Sequence, residues 1–367
     1  MFRPVPIAVF ASPHGYGHAA RACAVMQALY DLGAASRFEV FTLVPEWFFT
    51  DSLTCPFGHH PLLTDVGLAQ TTPLVEDPDE TLRRLDEFVP FGTGQLDSLA
   101  RVLDRFGCQL VLCDISPLGL AAARHAGIPS VLVENFTWDW IYQGYTSPAR
   151  GAPYDGAMAR HSAYLKEIFD SADYHIQTEP VCDRRAADLT TAPVSRPPRT
   201  PARQIRQRLG IADGTPALLI TMGGNPWQYT FVQQLAGEAG VTFVVPGAGE
   251  RLQVEGNLIR LPHHSAFYHP DLVNASDAVI GKLGYSTLAE VYRAGVPFGY
   301  IPRRGFRESP VLEAYVQEVM HALAIDAGQF EDWNWLALVP KLLALPRVRR
   351  EGQNGAAQVA GFVKGLQ

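Results

Sequence analysis

The chain has 367 residues, enough for two domains of ordinary size, and its 47% hydrophobic and 18% charged residues build a full core and exclude a disordered chain. Its net charge of −7 includes no block of lysine or arginine, which argues against nucleic acid or an anionic membrane as a partner. No stretch approaches the roughly 18 apolar residues of a membrane span. The cysteines, Cys23, Cys55, Cys108, Cys113 and Cys182, are odd in number and lack zinc-ribbon spacing. They are expected to be reduced thiols of a cytoplasmic protein, and the N-terminus reads as a first strand with no signal peptide.

In chain order, an apolar run over residues 7–11 predicts the first strand, ending in a Pro13-His14-Gly15 turn. A helix is predicted over 18–32, with Ala22, Val25, Met26 and Leu29 on one face. A strand at 38–44, a helix at 96–106, a strand at 110–114, a helix at 118–126 and a strand at 130–134 follow. Residues 174–178 read as the last strand of this half. In the second half, strands are predicted at 217–221, 241–245, 258–261, 278–281 and 298–301. Helices are predicted at 229–239, 286–293, 310–323 and 335–343. Strands alternating with helices argue for parallel sheets. The expected fold is α/β, with two Rossmann-like doubly wound domains facing a cleft. Residues 191–201 carry Pro193, Pro197, Pro198 and Pro201 without apolar periodicity, a linker composition. The expected domains are therefore 1–190 and 202–350, with 351–367 as a final helix.

Loops at the carboxyl ends of the strands line the ligand crevice of such sheets. The first is Ser12-Pro13-His14-Gly15-Tyr16-Gly17-His18, whose Gly15 and Gly17 let backbone approach a ligand. A helix N-terminus disfavours a cation, which suits His18, with His14 beside it, to accept a proton as a general base. A tight turn with a capping polar residue is the competing reading. After the first strand of the second half comes Thr221-Met222-Gly223-Gly224-Asn225, which opens the facing loop.

The segment Gly281-Lys282-Leu283-Gly284-Tyr285-Ser286-Thr287-Leu288-Ala289-Glu290 runs from a strand through a glycine loop into a helix. Backbone amides, hydroxyls and the helix dipole suit it to a pyrophosphate, with Glu290 able to accept from ribose hydroxyls. A solvated acid complementing the helix dipole is the alternative for Glu290. Glu134-Asn135-Phe136-Thr137-Trp138-Asp139-Trp140 mixes aromatics with polar groups, as a sugar-binding surface does, although core packing gives the same composition. In the loop after the last strand, Arg303, Arg304 and Arg307 could neutralise phosphate and Glu308 could accept from sugar hydroxyls, or the loop could be solvated charge. His59-His60 and His263-His264 are adjacent pairs, and neighbours on a strand point apart, which argues against a shared metal.

Together, His14-Gly-Tyr-Gly-His18, Asn135-Phe-Thr-Trp-Asp-Trp-Ile-Tyr142, Gly223-Gly224 and Gly281-Lys-Leu-Gly-Tyr-Ser-Thr-Leu-Ala-Glu290 resemble the GT-B glycosyltransferase superfamily. Within it the likeness is to the glycosyltransferase-like N-terminal region of plant-type L-arabinokinases, and more loosely to the peptidoglycan N-acetylglucosaminyltransferases. The resemblance implies that His18 is the important histidine of the first loop and that Glu290 binds ribose. It also implies that the last helix crosses back to the first domain. The glutamine usual near residues 307–309 is missing, which leaves the donor sugar open, and no kinase domain is present to carry over arabinokinase activity.

These readings converge on metal-independent glycosyl transfer from a nucleoside-diphosphate sugar, UDP-type favoured, to an unidentified acceptor, with no cofactor. The expected catalytic residues are His18 and His14. The expected nucleotide-sugar contacts are Gly223, Gly224, Asn225, Lys282, Gly284, Ser286, Thr287, Glu290 and Glu308. The expected acceptor-side contacts are Gly15, Gly17, Asn135, Trp138 and Asp139. A binding or regulatory module without turnover, and a nucleotide-sugar epimerase or hydrolase, are the rival readings. Nothing in the sequence specifies an oligomeric state.

Overall fold

The computed structural model describes residues 4–146, 151–224, 227, 229, 232–238, 240–332, 334–348 and 350–366. The first half holds β1 (Val5–Ala11), α1 (Gly17–Asp31), β2 (Ala35–Thr42), α2 (Glu46–Ser52), β3 (Phe57–Pro61), the hairpin β4 (Gln70–Thr72) and β5 (Val75–Glu76), α3 (Pro78–Phe88) and α4 (Thr93–Arg105). It continues with β6 (Leu110–Asp114), α5 (Pro117–Ala126), β7 (Ser130–Glu134), α6 (Trp138–Gln143), α7 (Ala152–Phe169), β8 (Tyr174–Thr178) and β9 (Leu189–Thr191). The second half holds α8 (Ala202–Leu209), β10 (Ala217–Thr221), β11 (Thr242–Pro246), β12 (Gln253–Glu255), β13 (Leu258–Leu261), α9 (His269–Ala275), β14 (Ala278–Lys282) and α10 (Tyr285–Ala294). After these come β15 (Phe298–Ile301), α11 (Ser309–Val319), β16 (Ala322–Ala324), α12 (Ala327–Glu331), α13 (Val339–Leu343) and α14 (Gly355–Gly365).

The first sheet runs β3-β2-β1-β6-β7-β8-β9, parallel throughout. The second runs β12-β13-β11-β10-β14-β15-β16, parallel except for β12. Both are Rossmann-like. Helices cover both faces of each sheet, which is why the strands read as continuous apolar runs and not as alternations. Ile7, Val9 and Ala11 enter one core, Ala8 and Phe10 the other. Leu218 and Ile220 likewise face away from Ala217 and Leu219.

The strand order reverses between β1 and β6 in the first sheet and between β10 and β14 in the second, where Ala11 pairs with Asp114 and Thr221 with Gly281. Loops leaving adjacent strands there run to opposite faces and open a crevice at their carboxyl ends. The two crevices face each other, and the cleft between them is lined from both halves.

Several element bounds differ from the sequence reading. Residues 174–178 are not the last strand of the first sheet, because three-residue β9 pairs beyond them. The helix read over 310–323 stops at Val319, and β16 pairs with β15 instead. Residues 335–343 split into a 3-10 turn over Asn334–Leu338 and α13. The helix read over 229–239 lies partly outside the described residues, and within them only a 3-10 turn at Gln234–Gly237 is formed.

The proline-rich segment leads from β9 to α8 and is packed: Val194 and Arg196 are buried. α14 brings the chain back, burying Ala356, Val359, Ala360 and Val363 in the core that holds β1 and α1. The outgoing and returning segments are joined by Ala192 N–H to Gln358 Oε1 at 2.8 Å and by Asn354 Nδ2 to the Ser195 carbonyl at 2.7 Å. Among the described residues, no helix is long and apolar enough to cross a membrane.

Candidate active site

The loop after β1 turns through Gly15 at φ +70° and enters α1 at Gly17. Across the cleft α10 begins after Gly284, and Ser286 Oγ donates to the Gly17 carbonyl at 2.8 Å. Neither helix has a side-chain cap or an acidic residue in its first turn. Both therefore aim unpaired amides and the positive end of a dipole into one space. Tyr16 reaches over to the opposite loop, which turns through Gly223 at φ +75°. A Cβ on Gly224 would lie 2.4 Å from Tyr16 Cγ, so only glycine lets the ring rest on that backbone. Trp47, Phe48 and His263 surround the ring. Asn225 lies outside the described residues.

His18 is the second residue of α1, and its Nδ1 is 3.0 Å from Asp114 Oδ1 at the end of β6. Arg21, one turn along α1, donates from Nε to Oδ2 and from Nη2 to Oδ1 of the same carboxylate, each at 2.7 Å. Its Nη1 donates to Asn135 Oδ1, also at 2.7 Å. Burial raises the Asp114 carboxyl, but Arg21 and His18 outweigh it and hold Asp114 below the usual carboxylate range. An ionised carboxylate only accepts, so in the neutral His18 ring the hydrogen sits on Nδ1 and the lone pair on Nε2.

His14 differs. The Leu68 N–H donates to its Nδ1 at 3.3 Å, so the neutral ring carries its hydrogen on Nε2. Burial, then Arg303, His18 and Lys282, push its imidazolium well below the usual range. His14, expected beside His18 as a base, is thus a buried neutral ring that lines the cleft with its Nδ1 engaged by backbone.

Lys282 ends β14 beside the Gly223 turn and has no ion-pair partner among the described residues. Burial and then Arg303 pull its ammonium down to about 7, against the pull of Glu308 and Glu76. Arg303, also buried, lies 3.5 Å from Glu308 Oε2 and 3.7 Å from Glu76 Oε1, which reaches in from the hairpin of the first half. Arg304 instead points to exposed Asp326, and Arg307 lies on the Trp140 ring, 4.1 Å from its centroid.

Glu290 lines the cleft but is no solvated acid. Arg196 Nε donates to its Oε1 at 2.9 Å, Nη2 lies 2.9 Å from the same oxygen as an ion pair, and His269 Nδ1 is 2.7 Å from Oε2. Burial raises its carboxyl, and Arg196 followed by His269 brings it below the usual range. Thr287 also lines the cleft, with Gly284, Ser286 and Glu308.

The expected acceptor side is largely core. Trp138 is fully buried, stacked on Tyr142 and meeting His14 edge-on. Asp139 is buried beneath Arg185, 3.2 Å from its Nη2, and is not among the residues that line the cleft. Asn135 is buried between Arg21 and Glu308. The aromatic segment thus forms the helix α6 that closes the core behind the first loop. Gly15 and Gly17 do line the cleft.

The sequence reading missed Asp114, Arg21, Tyr16 and Arg196. A carboxylate ending the strand next to the switch point was the one available signal for Asp114. Arg21 carried a weaker one, a charge on the apolar face of α1.

No family model matches the chain. It is 28% identical over 362 residues to an L-arabinokinase of Arabidopsis thaliana, covering 97% of this chain and 34% of that protein, so it spans about a third of that relative. It is 22% identical over 291 residues to an uncharacterised glycosyltransferase of Methanopyrus kandleri, covering 72% of this chain and 78% of the other. Its fold matches that of a UDP-glucosyltransferase from Polygonum tinctorium with a TM-score of 0.62 at 13% identity, covering 99% of this chain and 94% of that one. The chain has the GT-B glycosyltransferase fold, and its sequence resembles an L-arabinokinase over almost its whole length.

Proposed function

We propose that the chain transfers a glycosyl group from a nucleoside-diphosphate sugar, UDP-type favoured, to an acceptor hydroxyl, without a metal ion. Residues 202–350 would hold the nucleotide and residues 1–190 the acceptor. The observation that carries this reading is the meeting of two uncapped helix N-termini at Gly17 and Ser286, with Lys282 unpaired beside them. Such a space favours an anion with several oxygens, and amides and an ammonium can take the place of a cation. His18 stands at its edge in the tautomer of a base. The acceptor oxygen attacks the anomeric carbon as Nε2 of His18 takes its proton. The bond from that carbon to the diphosphate oxygen breaks, and its electron pair leaves with the nucleoside diphosphate. His14 Nε2–H and the α10 amides can stabilise the charge that develops there. We assign the reaction to the cytoplasm on the strength of five free cysteines, four of them buried.

A panel of nucleoside diphosphates and their sugars in a thermal-shift assay tests the binding half. A ligand at 100 times its Kd should stabilise by about 2.7 kcal/mol. Product analysis with candidate acceptors, in EDTA, tests the transfer. No nucleotide binding, or turnover lost in EDTA and restored by magnesium or manganese, overturns the reading. A binding module without turnover is the second reading, favoured by one observation: the Ser286 hydroxyl is already engaged by the Gly17 carbonyl. Nucleotide binding with no turnover for any acceptor would decide for it.

A further inference from the structure

The sequence reading gave Glu308 to the donor sugar, but its place in the structure suggests another task. Glu308 lies in the second half, in the loop entering α11, and is buried. Its Oε1 accepts from Asn135 Nδ2 at 2.8 Å, and Asn135 belongs to the first half. Asn135 has one donor end and one acceptor end. With the donor end turned to a carboxylate, the acceptor end faces Arg21, whose Nη1 donates to it at 2.7 Å. Arg21 then has its remaining arms on both oxygens of Asp114, and Asp114 Oδ1 is the atom that meets His18 Nδ1. The second half holds Arg21 at one more point, because the guanidinium lies 4.8 Å from the centroid of the Tyr285 ring.

We propose that Glu308 is a positioning residue for His18, acting across the domain boundary through Asn135, Arg21 and Asp114. The inference rests on the reading of His18 as the base. Each link sets the next. Without an acceptor at 308, Asn135 Nδ2 keeps only a 3.8 Å contact to Cys182 Sγ, and the amide loses the bond that fixes its plane against Arg21. The guanidinium is then held less firmly at its third anchor, and with it the carboxylate that it orients against His18. Because Asn135 and Glu308 lie in different halves, the link exists only when the halves are together. The second half thus helps to hold the base that the first half carries.

Two readouts test the proposal, one of which needs no turnover. In the parent, long-range ¹⁵N correlation of the His18 ring should show the neutral ring with its hydrogen on Nδ1. Glu308→Ala should shift the ring toward a mixture of tautomers. Glu308→Gln, whose amide oxygen still accepts from Asn135, should restore the parent signals. Asn135→Ala breaks the same link from the first half and carries the test if Glu308→Ala does not fold. In turnover, Glu308→Ala should lower kcat on the order of 100-fold with donor KM little changed, as misplacement of a catalytic group does. The Glu308→Ala, Asn135→Ala double variant should be no worse than either single variant, because both act on one path. Unchanged ring signals in both alanine variants overturn the proposal. So does a raised donor KM at constant kcat, which would make Glu308 a sugar ligand. Should the parent turn over no substrate, the proposed function fails, and the ring signals alone still decide the positioning role.

Discussion

The hydroxyl of Ser286 donates to the carbonyl of Gly17, 269 residues earlier in the chain, at 2.8 Å. The negative end of a peptide dipole thus sits at the N-terminus of α10, where a phosphate oxygen is expected. A charged acceptor makes a hydrogen bond worth about 1.5–3 kcal/mol, against about 0.5–1.5 for a neutral one. Exchanging Gly17 for a diphosphate should therefore gain about 1 kcal/mol through this hydroxyl. Ser286→Ala is expected to weaken UDP binding roughly fivefold by calorimetry. Tighter binding in the variant would mean that Gly17 competes with the ligand more strongly than the ligand uses Ser286.

His18→Ala is expected to lower turnover by about 10²–10⁴-fold, the range for loss of a positioned general base. Nucleotide affinity should barely change, since α10 and Lys282 belong to the other half. Steady-state kinetics and calorimetry on this variant check both statements. Turnover within a few-fold of the parent would remove His18 from catalysis.

Diphosphate binding should take up a proton at Lys282. Burial and Arg303 hold the free ammonium at about 7, and a bound anion raises it again. Below that value both states are protonated and affinity is flat. Above it, and up to the value in the complex, the complex holds the extra proton and affinity falls by up to about tenfold per pH unit. Calorimetry at pH 8 in buffers of different ionisation enthalpy should show the uptake, and Lys282→Met should abolish it. Equal heats across buffers in the parent would place Lys282 away from the phosphates.

Asp65 is buried behind the first loop, accepting from Ser12 Oγ at 3.0 Å, with no hydrogen bond to its Oδ2. Burial raises its carboxyl to about 8, against the pull of Ser12 and Trp138. The folded state then keeps a proton that the unfolded state loses near its ordinary value. Stability from this group is full below about 4, falls as pH rises toward about 8, and changes no further above it. Asp65→Asn should flatten that slope and stabilise the protein at pH 8 in denaturant titrations. A variant that follows the parent's pH dependence would show Asp65 to be ionised in the fold.

Burial on two faces writes a short apolar run into a strand, and the sequence shows it directly. Residues 110–114, 130–134 and 217–221 were legible for that reason, and so were the glycine loops that follow strands. β3 was not, because its His59 and His60 break the run: one reaches the Val44 carbonyl and the other Glu39. Trp138 and Asp139 were misread because aromatic and acidic residues in one segment serve a sugar surface and a satisfied core equally. Only the positions of Tyr142 and Arg185 distinguish the two. The partners of His18 were out of reach for a similar reason. Asp114 is 96 residues away in the chain, and its pairing with β1 brings it there.

The chain passes between the halves twice, and the two passages are tied side by side through Ala192 to Gln358 and Ser195 to Asn354. A single tether would leave one half free to swivel in any direction. A doubled one restrains the halves in two places, so that the register in which Ser286 meets Gly17 and Glu308 meets Asn135 is the one that the chain's own connections favour.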